Sequence, residues 1–367
     1  MSDGRTLLAS VAIMIQRLSV LDQSPVREGG TGAGALQETL DLARLADALG
    51  YHRYWVAEHH GGPMLAGPAP EVLIGPIASV TSRIRVGSGG VMLPHYSPLK
   101  VAESFSLLSG LFPERIDLGL GRASGTDPLT QYALQRDRRS AAPDDFPQQL
   151  VELLMYLGGG HGAAARFPEN HRFARLAESL PGRPEQPEPW LLGSSAQSAI
   201  WAAELGLPYA FADFISPGGE PIAAEYRARF EPSERWREPE TAVAAWVIAA
   251  DTDEEARRLA TSSRMAFKML RRGRLIPVPP VEKAIRYLES EGEDPMVPPA
   301  GRRTIVGAID PVRAQLEQLA DDYGASEVII VTITHDHEAR RHSYELLSSA
   351  FDLPTLTHAG SAADDST

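Results

Sequence analysis

YWVAEHH (54–60), APEVLIGPIASVTSRIRVGSGGVMLP (69–94) and SPLKVAESFSLLSGLFPERIDLGLGRASGTD (97–127) decide how the rest of the chain is read. Residues 54–57 form a short apolar run that ends at the polar group Glu58, His59 and His60. The spacing of Val72, Leu73, Ile77 and Val80 predicts a helix over 70–81. A second strand over 84–88 ends at Gly89 and Gly90. Ser97 and Pro98 then read as the N-cap and first residue of a helix with Leu99, Val101, Ala102, Phe105 and Leu108 along one face. A third strand, 116–120, ends at Gly121 and Arg122. Strand, helix, strand, helix, strand implies parallel strands joined by right-handed crossovers. The polar residues gather just after the C-terminal ends of these strands, the face on which open α/β sheets and closed barrels both place their sites.

The same alternation continues on both sides. Residues 17–22 read as the first strand, and the glycine-rich loop 29–34 leads into a helix closed by Gly50. Past Arg122, residues 128–143 are charged and read as a surface insertion, and 146–157 as a helix. Strands follow at 190–193, 207–214 and 242–249, the last leading into a helix over 253–272 with acids in its first turn and bases in its last. Asp310 and Pro311 read as the cap and first turn of a helix, 327–332 as the last strand and 337–350 as the closing helix. Strands starting near 17, 54, 84, 116, 190, 207, 242 and 327 make an α/β chain of one domain, a (β/α)8 TIM barrel with insertions, over 17–355. Residues 273–303, with PVPP and VPPAG around a short helix at 281–289, read as a lid insertion. Residues 1–16 read as an N-terminal extension rather than a signal peptide, because Asp3 weakens the charged start and no A-x-A site follows. Residues 356–367 read as a disordered tail.

With 367 residues, 43% of them apolar, the chain can bury a full core, and no apolar run approaches the length of a bilayer span. A formal charge of −13 argues against nucleic-acid binding, which phosphate neutralisation drives. The absence of cysteine excludes disulfides, thiolate metal sites and a thiol nucleophile, and it fits a reducing cytoplasm.

Three constellations carry candidate chemistry. GLGRASG lacks the third glycine of a dinucleotide fingerprint, which would fall at Ser124, so its glycines either admit something flat or pack tightly. Ser194, Ser195 and Ser198 stand where a strand gives way to a helix, so hydroxyls and unpaired N–H groups there favour an anion, or Ser195 is simply an N-cap. Arg122, at the end of another strand, offers a complementary positive fork that one phosphate could share with them. His59 and His60 are open to a catalytic or a structural reading. Adjacent residues face opposite ways, and no helical His pair or carboxylate set supports a metal.

Residues 17–350 resemble the bacterial luciferase-like, flavin-dependent monooxygenases through YHRYWVAEHH, RIRVGSGGVMLPHYSPL, ERIDLGLGRASGTD, WLLGSSAQSAIWAAELGLP and GASEVIIV. The resemblance implies a barrel that binds FMN at its C-terminal face, over a non-prolyl cis peptide matching Gly89–Gly90. It assigns the FMN phosphate to Arg122, Ser194, Ser195 and Ser198, a flavin-side acid to Glu58, and catalysis to His59 with His60 as its neighbour. The family's reactive cysteine has become Gly121, and residues 273–303 fall at its mobile lid. The implied activity is a two-component monooxygenase that takes reduced FMN from a separate flavin reductase, since no nicotinamide fingerprint is present. With dioxygen it would hydroxylate or epoxidise a small-molecule substrate, for which an aromatic polyketide-type natural product suits the Ala/Arg/Gly/Pro-rich composition. The alternatives are a deazaflavin-dependent hydride transferase and a non-catalytic flavin-binding protein. A homodimer is implied.

Overall fold

The computed structural model describes residues 15–122, 127–135, 138–139, 145–158, 162, 165–298 and 304–355. The expected disordered tail and all but the last two residues of the N-terminal extension lie outside these. The strands are β1 (Arg17–Asp22), β2 (Arg53–Val56), β3 (Arg85–Met92), β4 (Ile116–Gly121), β5 (Glu188–Gly193), β6 (Tyr209–Ala212), β7 (Thr241–Ala250), β8 (Ile305–Ala308) and β9 (Glu327–Val331). The early helices are α1 (Gly32–Ala48), α2 (Pro70–Ser79), α3 (Pro98–Leu111), α4 (Pro128–Leu134), α5 (Phe146–Leu157) and α6 (Ala174–Glu178). The later ones are α7 (Ala196–Glu204), α8 (Glu220–Arg229), α9 (Asp253–Arg271), α10 (Val281–Ser290), α11 (Ile309–Tyr323) and α12 (His337–Ala350). Among the described residues, no helix is long and apolar enough to cross a membrane.

Neighbouring strands from β1 to β7 pair in parallel, and β9 pairs with both β7 and β1, so eight parallel strands close a (β/α)8 barrel. These are the eight strands expected from the sequence. β8 is additional: it lies outside the ring, in parallel register with the far half of β7 from Val247↔Ile305.

One face of each strand packs against the helices, with Leu18, Val20, Val86, Leu118 and Ile330 in that layer. The other faces the lumen, whose floor is filled by Trp55 and Trp190, edge to face at 5.5 Å. Below them, Arg53 is buried and its guanidinium reaches Asp117 (2.8 Å), Glu327 (3.1 Å) and Glu188 (3.1 Å), while its carbon centre lies 4.5 Å from the Trp190 ring centroid. Burial pushes the Asp117 carboxyl up, but the Arg53 and Arg85 charges outweigh it and hold the group below the ordinary carboxylate range. This charged plug and the two indoles close the barrel from below, so a ligand site is left only at the other end.

Two local expectations are corrected. α11 starts at Ile309 with Ala308 at its cap, and Asp310 lies inside the first turn; the cap has no side-chain bond, and the Ala308 N–H instead donates to Asp253 Oδ1 at 2.7 Å. The segment after α9 is less irregular than its prolines suggest. Val278 is fully buried, pairs with Arg27 beside β1 and exchanges backbone bonds with Val26 and Glu28, and α10 packs its Ala284 against Met265 and Met269 of α9. Residues 299–303 of the expected lid lie outside the described residues.

Candidate active site

The loop after β2 brings the first group of polar residues to the C-terminal mouth. Glu58 is completely buried there, and both its oxygens are used within the protein. Oε1 lies 2.8 Å from His60 Nε2 and accepts from the Tyr96 hydroxyl at 3.1 Å; Oε2 accepts the Met92 N–H at 2.9 Å. The carboxylate therefore ties the β2 loop to the turn after β3 and fixes the His60 ring. Burial, with the Glu58 charge behind it, pushes the Tyr96 phenol up, so it stays a neutral donor. His60 also meets His95 edge to face, at 5.9 Å between ring centroids. Glu71, in the first turn of α2, completes the group: one of its oxygens is buried without a hydrogen-bond partner, and burial, aided by nearby Glu58, raises its carboxyl above the ordinary range. His59 is half-buried, and its backbone N–H is pinned to the Gly67 carbonyl at 2.9 Å.

The second group belongs to β3 and β4. The peptide between Gly89 and Gly90 is cis, and the pairing of β3 with β4 shifts register between Ser88 and Val91. A Cβ on Gly89 would sit 2.5 Å from Leu21 Cδ1, one on Gly90 2.6 Å from the Gly119 carbonyl oxygen, and one on Gly119 2.1 Å from the Ser88 carbonyl oxygen. Of the two readings of the GLGRASG glycines, tight packing accounts for Gly119, and Gly89 and Gly90 are closely packed as well. Gly121 differs: among the described residues an added Cβ would meet only Met92 Sδ, at 3.5 Å, so of these glycines it is the one with room for a flat group.

The third group lies where β5 passes into α7. Ser195 is the N-cap and accepts from the Ser198 N–H, while Ser195, Ala196 and Gln197 are exposed. Arg122, also exposed, projects from the end of β4 with its guanidinium 5.9 Å from the Trp201 ring of α7. The helix N-terminus and the guanidinium thus share one side of the mouth, a donor set suited to a phosphate monoester such as that of FMN. The Ser198 hydroxyl donates to the Ser195 carbonyl at 2.8 Å and lies 3.0 Å from the Tyr209 hydroxyl of β6 and 3.3 Å from Ser195 Oγ, so the Ser195 and Ser198 hydroxyls do lie together, with Ser198 already hydrogen-bonded within the protein.

Sequence reasoning missed Tyr96 and Trp201. Trp201 stands three residues after Ser198 and so on the same helix face, a signal available from spacing. Tyr96 had no local signal.

Residues 16–325 match the family described as luciferase-like monooxygenase. A Bacillus subtilis (strain 168) protein named N-acetyl-S-alkylcysteine monooxygenase is 42% identical over 337 residues, which cover 91% of this chain and 98% of that one. The solved structure of apo-MsnO8 is similar at a TM-score of 0.83 with 42% identity, over 94% of this chain and 99% of its own. At 22% identity, the oxygenating constituent of 3,6-diketocamphane monooxygenase from Pseudomonas putida, solved with FMN, shares the fold at a TM-score of 0.67 over 94% of this chain and 100% of its own. The chain belongs to the luciferase-like monooxygenase family.

Proposed function

We propose that this chain is the oxygenating component of a two-component cytoplasmic monooxygenase that receives reduced FMN from a separate reductase. The observation that carries the reading is that the exposed Arg122 guanidinium lies 5.9 Å from the Trp201 ring of α7, on the side of the mouth where that helix begins at the exposed Ser195, and next in the chain to the half-buried Gly121. Arg122, Ser194 and Ser195 would hold the phosphate, and the Gly89–Gly90 and Gly121 backbone would border the ring system. Reduced FMN, when bound, supplies the two electrons that let dioxygen place one oxygen atom in the substrate and release the other as water.

The protein's own residues then have separate tasks. His59 holds or moves a proton at its imidazole nitrogen, near neutrality the side chain best suited to it. Glu58 holds the His60 ring in one orientation, and neutral Tyr96 donates to the same carboxylate. Segment 273–298 excludes water over the mouth. The substrate suggested by composition is an aromatic polyketide-type metabolite, hydroxylated or epoxidised. A thioether acid is the second reading, favoured by the 42% identity to the N-acetyl-S-alkylcysteine enzyme.

Anaerobic titration with reduced FMN and, separately, with a reduced deazaflavin tests the cofactor. Micromolar FMN binding, followed by incorporation of one labelled atom from dioxygen into a product, is expected. Tight deazaflavin binding without FMN affinity would make the chain a hydride transferase. FMN retained through purification with no oxygenation of any substrate would make it a flavin-storing protein.

A further inference from the structure

A cavity of about 180 Å³ lies between α9 and residues 293–298, away from the Arg122 side of the mouth. Its inner wall is Trp246 of β7, an inward-facing residue of the barrel that meets Phe267 of α9 edge to face at 4.7 Å. Pro295, Met296 and Ala260 complete an apolar lining. The polar lining is cationic on balance. Arg264 donates from Nη1 to the carbonyls of Asp294, Pro295 and Val297 and pairs through Nη2 with Glu293 at 2.7 Å, which fixes the guanidinium, yet its Nε–H is buried without a partner. Lys268 is spent on Glu291 and Glu293. Arg271, at the exposed rim, makes no ion pair with any described residue.

We infer that this cavity selects the organic substrate and that it takes a small organic acid with one apolar arm, a short alkyl group or a single ring. The inference rests on the monooxygenase reading above and narrows its substrate. Three features support it. A cavity of roughly 150 Å³ accepts one benzene ring, so this one has room for a single ring or short chain. The apolar end of the cavity is Trp246, which also lines the lumen, so the arm points toward the barrel axis. Arg271, a cation at the exposed rim of the cavity, lies where a carboxylate at the other end of such a molecule would need it. An N-acyl-S-alkyl amino acid satisfies all three, whereas a neutral multi-ring metabolite leaves the rim cation unused, so this cavity favours the thioether acid of the two substrate readings above.

Calorimetry on the full-length protein tests this with N-acetyl-S-benzylcysteine, its methyl ester and N-acetylcysteine. The acid should bind at least about tenfold more tightly than the ester, which lacks the charge, or than N-acetylcysteine, which lacks the arm. Arg271→Gln, an exposed position whose change leaves packing alone, should erase the difference between acid and ester. Ala260→Trp, which fills the cavity, should weaken both by about tenfold or more. Equal binding of acid and ester to the unaltered protein, or no change in either variant, overturns the assignment. Reduced-FMN affinity measured on the same samples separates the two failures: intact FMN binding without discrimination among the probes removes only this cavity, whereas absent FMN binding removes the flavin reading itself.

Discussion

Replacing Arg53 by Met keeps most of the side-chain volume and removes the one cation shared by the buried carboxylates beneath the lumen. Asp117 and Glu327 are both fully buried. After the change Asp117 keeps Arg85 and the Trp55 indole N–H (2.9 Å), and Glu327 keeps the Ser19 hydroxyl (2.6 Å) and Arg17 (3.4 Å). Removing one partner of a buried ion pair costs about 3–5 kcal/mol, and these remaining partners place the loss near the lower end, about 3 kcal/mol. At about 2–4 °C per kcal/mol for a large domain, the thermal midpoint at pH 7 should fall by roughly 6–12 °C. The pH dependence adds a signature. In the native protein both carboxyls are held below their ordinary range, so their contribution is present above the unfolded-state pKa and is lost as pH falls through the folded value. Without Arg53, burial raises them instead. The folded variant then takes up protons more readily than the unfolded chain, so its deficit relative to the parent should narrow as pH drops toward 5. A midpoint within 2 °C of the parent by circular dichroism (~1 kcal/mol or less), or a deficit that widens in acid, would refute the reasoning.

Arg122→Ala should weaken reduced-FMN binding by about 10- to 150-fold, the equivalent of roughly 1.5–3 kcal/mol for a charge-assisted bond, with the thermal midpoint unchanged; equal affinity by anaerobic titration would take Arg122 out of the site. His59→Ala should leave FMN affinity within about twofold, lower the oxygenation rate by on the order of 10²–10⁴-fold and divert reducing equivalents to hydrogen peroxide. If that variant instead melts early but couples normally, His59 is a packing residue and the role passes to His60. Val72, Leu107 and Leu111 stand 69%, 50% and 62% exposed on α2 and α3, so the protein should be a homodimer through these helices. Light scattering should give twice the 39.7 kDa chain mass, and Leu107→Glu should give the monomer; a monomeric parent at micromolar concentration rejects this interface.

The barrel was legible because its strands are apolar runs separated by helices with a clear face, as at Leu36, Leu40, Ala43 and Leu49 of the first crossover. β8 escaped because IVGA is four residues long, half-exposed on alternate positions and outside the ring, so nothing in its pattern distinguishes it from loop. At the site, the N-cap at Ser195 stands where spacing puts it, whereas Gly89 and Gly90, expected just past the end of the second strand, lie inside β3, with the cis peptide that the family resemblance implied between them. What could not be read were contacts made across strands. Glu58 meets Tyr96 only because β2 and β3 are neighbours, and the Ser198 hydroxyl is engaged within the protein because β6 brings Tyr209 beside it. The glycines of GLGRASG were ambiguous for the same reason, since what lies over Gly119 is a carbonyl of the adjacent strand.

The seam between β1 and β9 sets a constraint on how the molecule can be made. Its two sides, Arg17–Val20 and Glu327–Ile330, are separated by roughly three hundred residues of chain, and the same β9 also closes the edge of β7. On a ribosome, the first seven strands must therefore wait as an open arc with two unpaired edges until the final strand emerges. Such edges invite pairing with another chain, and ordering them late makes for slow folding. The interval before β9 emerges, more than the loss of any single core contact, is then when this barrel is most exposed to misassembly, and a chaperone that shields sheet edges would act in that interval.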